Sequence, residues 1–314
     1  MEKNLEMEPK KKKVSYAKWG YIFIASFFII YLIFTLAPQI LTIIDSFKTF
    51  VPGPNESFLD FEPHFCGFDN YVGIFSVNEL GYIEIFKSIG NTLIMWILGA
   101  IPQLLASLLL ALIFTATKLK LKGTGFFKTL FYMPNLIMAS AFAALFLILF
   151  STGTGPIYKM FVNIGWVREG FDFISNKGWA RVLVAFMNFL MWFGNTTILL
   201  MAGIQSIDES IFESARIDGA SSNRILFDIT LPLLKPTVVY VVITSMIGGL
   251  QMFDVPQVLT DKARNNDTRT IIMVINQYLG QSNYGYAGAA SVILFILTGI
   301  LSIIVFKSIN KKED

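Results

Sequence analysis

Asn188, Trp192 and Asn195 stand four and three residues apart inside an apolar stretch, so on a helix they share one face. Amides bond hydroxyl groups and an indole ring stacks on an apolar ring face, which is how a protein surface grips a sugar. Gln251 and Asp254 fall near the end of a later apolar stretch and carry groups of the same kind. Polar residues in such surroundings are functional candidates by default. A second reading competes with this one. Amide side chains also join membrane helices to one another, and tryptophan commonly marks the lipid boundary. Gln103, alone in another apolar stretch, is more simply a packing group.

The segment 205–236 carries a different pattern. Ser206-Ile207-Asp208-Glu209 has the spacing of a capping box and predicts a helix start. Ile207, Ile211 and Ala215 recur every four residues on one face. Gly219, after Asp218, suits the left-handed turn that ends a helix. Ser221 or Ser222 can cap a second helix with Ile225, Leu226 and Ile229 as its apolar residues. Pro232 is expected to stop that helix and Pro236 to open the next apolar one. Such an amphipathic helix–turn–helix must bury its apolar face against something, so it is a candidate docking element for a partner protein.

Glu213, Ala215, Asp218, Gly219 and Ala220, followed by Ile229, Leu231 and Pro232, resemble the "EAA" signature of ABC importer permeases. The family pattern is Glu-Ala-Ala, three residues, Gly, nine residues, Ile, one residue, Leu-Pro, and the chain departs from it at Ser214, where the first Ala is replaced by another small residue. Phe68-Asp69-Asn70-Tyr71 with Phe75, and Tyr132-Met133-Pro134, resemble segments of carbohydrate-type permeases. So do Phe253-Asp254 with Leu259-Thr260, Thr268 to Ile271, and Tyr284 to Ser291. The likeness spans most of the chain and is nearest to the maltose-type first permease. It implies an all-α membrane protein of six transmembrane helices, with a coupling helix between the fourth and fifth that sits in a groove of an ATPase subunit. It also implies import of a small sugar, a di- or oligosaccharide, and half of a translocation path. The implied partners are a second homologous permease, two ATP-binding subunits, an extracellular solute-binding protein and the lipid bilayer. The implied location is the inner or cytoplasmic membrane of a bacterium, with both termini cytoplasmic. Substrate contacts would fall on the fourth and fifth helices, the positions of Asn188, Trp192, Asn195, Gln251 and Asp254.

Catalytic chemistry has little to work with. There is no G-x-x-x-x-G-K-[ST] loop for ATP phosphates, so ATP would be hydrolysed by another chain, and no cofactor is expected here. Gly153-Thr154-Gly155 and Gly123-Thr124-Gly125 read as turns. His64 is the sole histidine, which leaves no H-E-x-x-H, no multi-histidine metal site and no credible Ser/His/Asp set. Cys66 is the sole cysteine, so no intramolecular disulfide can form. Among rival solutes, a phosphorylated polyol such as glycerol phosphate stays open. An ion-driven secondary transporter would need buried paired charges in mid-span, and none stands in the clear centres of the apolar stretches.

The elements that must hold these residues are legible from composition. The chain has 314 residues, 54% apolar and only 15% charged, and its mean hydropathy is +0.60. Soluble domains carry roughly 25% charged residues. Six stretches reach the roughly 20 residues a membrane-spanning helix needs: 21–44, 91–117, 130–150, 182–204, 237–253 and 287–309. The first is too long for a signal peptide core and has no small-residue cleavage site after it, so it reads as retained. Lys10 to Lys13, Lys118, Lys120, Lys122, Lys128, Arg216, Arg224, Lys235, Lys307, Lys311 and Lys312 cluster in the two termini and in every second connection between spans, all on one side. They place both termini and the segment 205–236 in the cytoplasm. The formal net charge of +3 is grouped at those membrane edges and is no nucleic-acid signal. The boundaries expected are a basic tail 1–20, a six-helix permease domain 21–309 with the coupling loop 205–236, and a tail 310–314. The opposite-side loop 45–90 opens with turn residues Pro52, Gly53, Pro54 and Asn55, and Phe68 to Phe75 is expected to form a short surface helix.

Overall fold

The computed structural model describes residues 17–52, 61–77, 81–116, 122–263 and 267–310. Most of the basic tail 1–20, the turn at Gly53, Pro54 and Asn55, Lys118 and Lys120, and the segment after Asn310 lie outside the described residues. Apart from one two-residue ladder, β1 (Lys48–Thr49) with β2 (His64–Phe65), the regular structure of the described residues is helical. Lipid offers backbone groups no partner, so helices are the form that apolar stretches of this length must take.

Five helical spans among the described residues are long and apolar enough to cross a membrane, and a bent pair makes a sixth. The first comprises α1 (Ala17–Tyr31), a π turn (Leu32–Leu36) and α2 (Ala37–Asp45). After α3 (Asp69–Ile74) comes the second, α4 (Glu84–Thr115). The third is α5 (Thr124–Leu136) with α6 (Ala139–Leu149), and α7 (Pro156–Asn163) follows. The fourth is α8 (Lys177–Gln205). Then come α9 (Glu209–Ile217), α10 (Ser222–Arg224), a π turn (Ile225–Thr230) and the fifth, α11 (Leu231–Leu250). The chain continues through α12 (Asp254–Ala263) and α13 (Ile271–Gly280) to the sixth, α14 (Tyr284–Ile309). The end of the bundle carrying α9 is called basal here, and the end carrying the starts of α4 and α8 apical.

Two expectations need correction. The stretch 130–150 is not one straight helix: α5 and α6 meet at 93°. Pro134 removes a backbone donor near the end of α5, and Ile137 and Met138 then adopt extended ψ angles of 137° and 129°. Pro232 does not stop a helix either. Residues 222–250 form one continuous rod, with Pro232 in the first turn of α11. The π turn absorbs the break: the Leu231 N–H donates five residues back to the Leu226 carbonyl, immediately before the proline that can donate nothing. The first span repeats this device. The Ala37 N–H donates to the Leu32 carbonyl, and Pro38 follows.

The centre of the bundle is the pair α4 and α8. Their backbones approach closely at Gly99, where a Cβ would come within 2.9 Å of the Ala185 carbonyl oxygen, as expected where membrane helices meet through small residues. The Gln103 amide donates to Thr196 Oγ1 at 2.8 Å, and the Ser107 hydroxyl to the Phe193 carbonyl at 2.8 Å. Gln103 thus does the packing work expected of it. α11 and α14 complete the core, α12 lies on α6, and α13 on α14 and α4. The first span stands apart. No residue of its most apolar window is buried within the chain. It is held near its apical end: Asn70 on α3 donates to the Ser46 and Lys48 carbonyls at 2.8 and 2.9 Å, and α2 lies against α14.

Candidate functional site

A cavity with about 200 Å³ of interior space opens between α4, α8 and α11. α8 contributes Asn188, Trp192 and Asn195, so the structure brings together the three residues that the sequence put on one face. The Asn188 amide donates back to the Val184 carbonyl of its own helix at 3.1 Å, which joins no neighbour. Asn195 has no hydrogen-bond partner among the described residues, and Trp192 is 48% exposed. α4 adds Trp96, whose indole N–H donates to Ser245 Oγ at 3.4 Å, and Gln103. α11 adds Tyr240, Thr244 and Gly248, four residues apart on one exposed stripe. No Asp, Glu, Lys, Arg or His is among the residues lining it.

Gln251 and Asp254 are not among the lining residues. Gln251 caps α11 and Asp254 opens α12, both exposed, while Met252 between them does reach the cavity. Sequence reasoning missed Trp96, Tyr240 and Thr244. The recurrence of Tyr240 and Thr244 at helical spacing in an apolar stretch was a usable signal for two of them; a lone tryptophan gave none for the third.

Above the cavity, toward the apical end, the crossing segment before α13 is bound to α4 and α8. Asp267 lies 3.7 Å from Lys87, 3.7 Å from Lys177 and 4.0 Å from Arg181. Arg181 also donates to the Asp267 carbonyl at 2.9 Å and to the Asn91 side chain. Asn91 donates to the Arg269 carbonyl at 3.1 Å, and Arg269 pairs with Glu84 at 2.8 Å. The Thr270 hydroxyl donates to the carbonyl of Met252, a cavity residue, at 3.0 Å. Four cations share two carboxylates here; Lys177 is exposed to solvent, while the less exposed Arg181 and Arg269 each have a carboxylate within 4.0 Å, which lowers the cost of holding them near an apolar bundle.

At the basal end, α9 begins two residues later than expected. Asp208, not Ser206, is its N-cap, accepting from the Ser210 N–H at 2.9 Å, while the Ser206 hydroxyl donates to the Gly203 carbonyl and finishes α8. The backbone N–H and hydroxyl of Ser210 hold the Asp208 carboxyl below the usual carboxylate range, so the cap is charged at neutral pH. Gly219 has φ +76°, the left-handed region. The Gly219 N–H donates to the Arg216 carbonyl at 3.1 Å and the Ala220 N–H to the Ala215 carbonyl at 2.9 Å, the paired bonds of a Schellman stop. Of the two serines proposed as the next cap, Ser221 does it, accepting from the Arg224 N–H at 3.3 Å. Glu213 and Asp218 are exposed on this unit; Ile229 and Leu231 are half-buried, and Pro232 is exposed. Ile211, Ile217 and Phe227 point outward at 39%, 86% and 63% exposure.

Apolar spanning helices, a charge-free cavity between three of them and a projecting basal helix pair define a multi-pass membrane transport subunit. The chain belongs to the family of binding-protein-dependent transport system inner membrane components, whose family model matches residues 103–313. It is similar to the multiple sugar-binding transport system permease protein MsmF of Streptococcus mutans serotype c, 28% identical over 305 residues, 96% of this chain and 99% of that one. It is also similar to the arabinooligosaccharides transport system permease protein AraP of Bacillus subtilis (strain 168), 30% identical over 298 residues, 91% of this chain and 87% of that one. The fold matches a chain of a bacterial alginate ABC transporter solved in complex with an alginate pentasaccharide-bound periplasmic protein, with TM-score 0.73 and 23% identity over 95% of this chain and 96% of that one.

Proposed function

We propose that this chain is the sugar-conducting permease subunit of an ATP-driven importer, moving di- or oligosaccharides and forming half of the path across the membrane. One observation carries the mechanism: residues 222–250 are a single helical rod that joins the basal helix pair to the cavity wall at Tyr240, Thr244 and Gly248. A push on the basal end has no flexible loop in which to dissipate before it reaches the cavity. The sugar class draws support from the wall itself, which offers indole faces and neutral hydrogen-bonding groups without a formal charge. It draws support too from relatives named for multiple sugars and arabinooligosaccharides.

On this reading the basal end is cytoplasmic, in agreement with the Lys and Arg distribution. Glu213, Ala215, Asp218, Gly219 and Ala220 belong to the unit that docks on a separate ATP-binding subunit, and Ile229, Leu231 and Pro232 pass the motion to α11. The exposed Ile211, Ile217 and Phe227 are the apolar surface such a groove would cover. A second, homologous permease supplies the other half of the path, two ATP-binding subunits drive it, and an extracellular solute-binding protein delivers the sugar. The periplasmic protein held by the alginate transporter supports that last partner.

The test is uptake into proteoliposomes holding the complete transporter with its binding protein. Sugar accumulation should require internal ATP and persist after ionophores collapse the ion gradients. Uptake that stops with the gradient and ignores ATP overturns the proposal in favour of a secondary transporter.

A further inference from the structure

Two adjacent glycines on α11 face different surroundings. A Cβ on Gly249 would overlap the Trp96 ring, so packing alone explains that glycine. A Cβ on Gly248 would meet nothing within 4 Å, and its φ does not lie in the left-handed range. Neither crowding nor backbone geometry within this chain requires glycine at 248, yet glycine is a poor helix former compared with almost any other residue. What Gly248 does is line the cavity, continuing the exposed stripe of Tyr240 and Thr244 and sharing that cavity with Trp192 and Asn195.

We infer that Gly248 is a specificity-determining residue: the missing side chain leaves room in the cavity for a longer or bulkier neutral sugar. The inference rests on the sugar-path reading above and adds to it a residue that sets size. A side chain at 248 would project into open space rather than into protein, so it would shorten the list of sugars accepted without disturbing the fold. Because neighbouring Thr244 and Ser245 carry small neutral groups, the cavity keeps its hydrogen-bonding character when Gly248 is filled.

The experiment compares wild type, Gly248→Ala and Gly248→Leu in the complete reconstituted transporter. The probes are the di-, tri- and tetrasaccharides of whichever neutral series, maltooligosaccharide or arabinooligosaccharide, the wild type accumulates. Gly248→Leu should lower the ratio of tetrasaccharide to disaccharide uptake about tenfold or more, with Gly248→Ala between it and wild type. Equal loss at every length, together with loss of the second permease from the purified complex, would show that Gly248 packs against that partner instead. Wild-type uptake of every length by Gly248→Leu would also overturn the inference. A parallel Trp192→Ala variant separates the two levels: where Gly248→Leu behaves as wild type but Trp192→Ala slows all lengths, the path reading stands and only the gauge at Gly248 falls. Where the wild type accumulates no neutral di- or oligosaccharide at all, the sugar reading falls and this inference with it.

Discussion

Gly219 is the residue whose chemistry is most constrained. Its φ of +76° disfavours any side chain, and the two hydrogen bonds that close α9 depend on that turn. Gly219→Asp should cost about 1–2 kcal/mol of local stability through backbone strain. The chain should still insert in the membrane, but the ATP-binding subunits should co-purify poorly and sugar-stimulated ATP hydrolysis should fall; wild-type values for both would contradict the docking role. Trp192→Ala and Asn195→Ala test the cavity at the same scale. Trp192 is half-exposed and Asn195 bonds no neighbouring helix, so neither supports the bundle. Each variant should assemble normally and slow sugar uptake by about tenfold, as lost stacking or an unmatched hydroxyl would. Normal uptake by both would return these residues to the role of lipid-boundary and packing groups.

At the scale of elements, the two π turns show how prolines are accommodated in long membrane helices. Pro38 and Pro232 each follow an N–H that reaches five residues back, so the ladder slips before the residue that cannot contribute. Pro232→Ala restores a donor and removes the reason for the slip. The rod should then relax toward ordinary α geometry and turn α9 relative to α11, and ATP hydrolysis should become insensitive to the loaded binding protein while continuing at its basal rate. Unchanged stimulation would show that the π turn is incidental. The same element shows where sequence reading works and where it fails. The six apolar stretches were legible because length and hydropathy decide them. The bend between α5 and α6 was not, since Pro134 signals a break but not its angle, and the neighbours that fix 93° lie far off in sequence. The cap at Asp208 was misassigned because Ser206 fits the same local pattern, and only the end of α8 decides which one is used. Asn188, Trp192 and Asn195 were readable from spacing on one helix; the cavity's other walls are tertiary, and Gln251 and Asp254, singled out as polar residues near the end of the fifth span, flank the lining residue Met252.

At the scale of the whole molecule, the apical junction ties the crossing segment 267–271 to α4 and α8. Asp267 serves three cations, and its replacement would leave Arg181, whose side chain is only 16% exposed, short of a counter-charge. Asp267→Asn should destabilise the detergent-solubilised protein by about 1–3 kcal/mol, read as a lower midpoint of thermal unfolding. Double replacement with Arg181→Gln should recover part of the loss, because the stranded cation is gone. Additive losses would mean that the pair is uncoupled.

The first span is fastened near one end and leans on few elements: α3, which grips it through Asn70, and α14, the last helix in sequence order. During synthesis the first span therefore enters the bilayer long before α14 exists. Domains that fold as they emerge gain contacts in chain order, but here the first span must wait for the sixth. The first span would pass that interval as an independent helix in lipid, stable there because its backbone bonds are all internal. Completion of this fold is then a late docking event, and a ribosome stalled before α14 should leave the first span inserted and accessible to protease at its apical end. In the finished chain, α14 would shield the same residues.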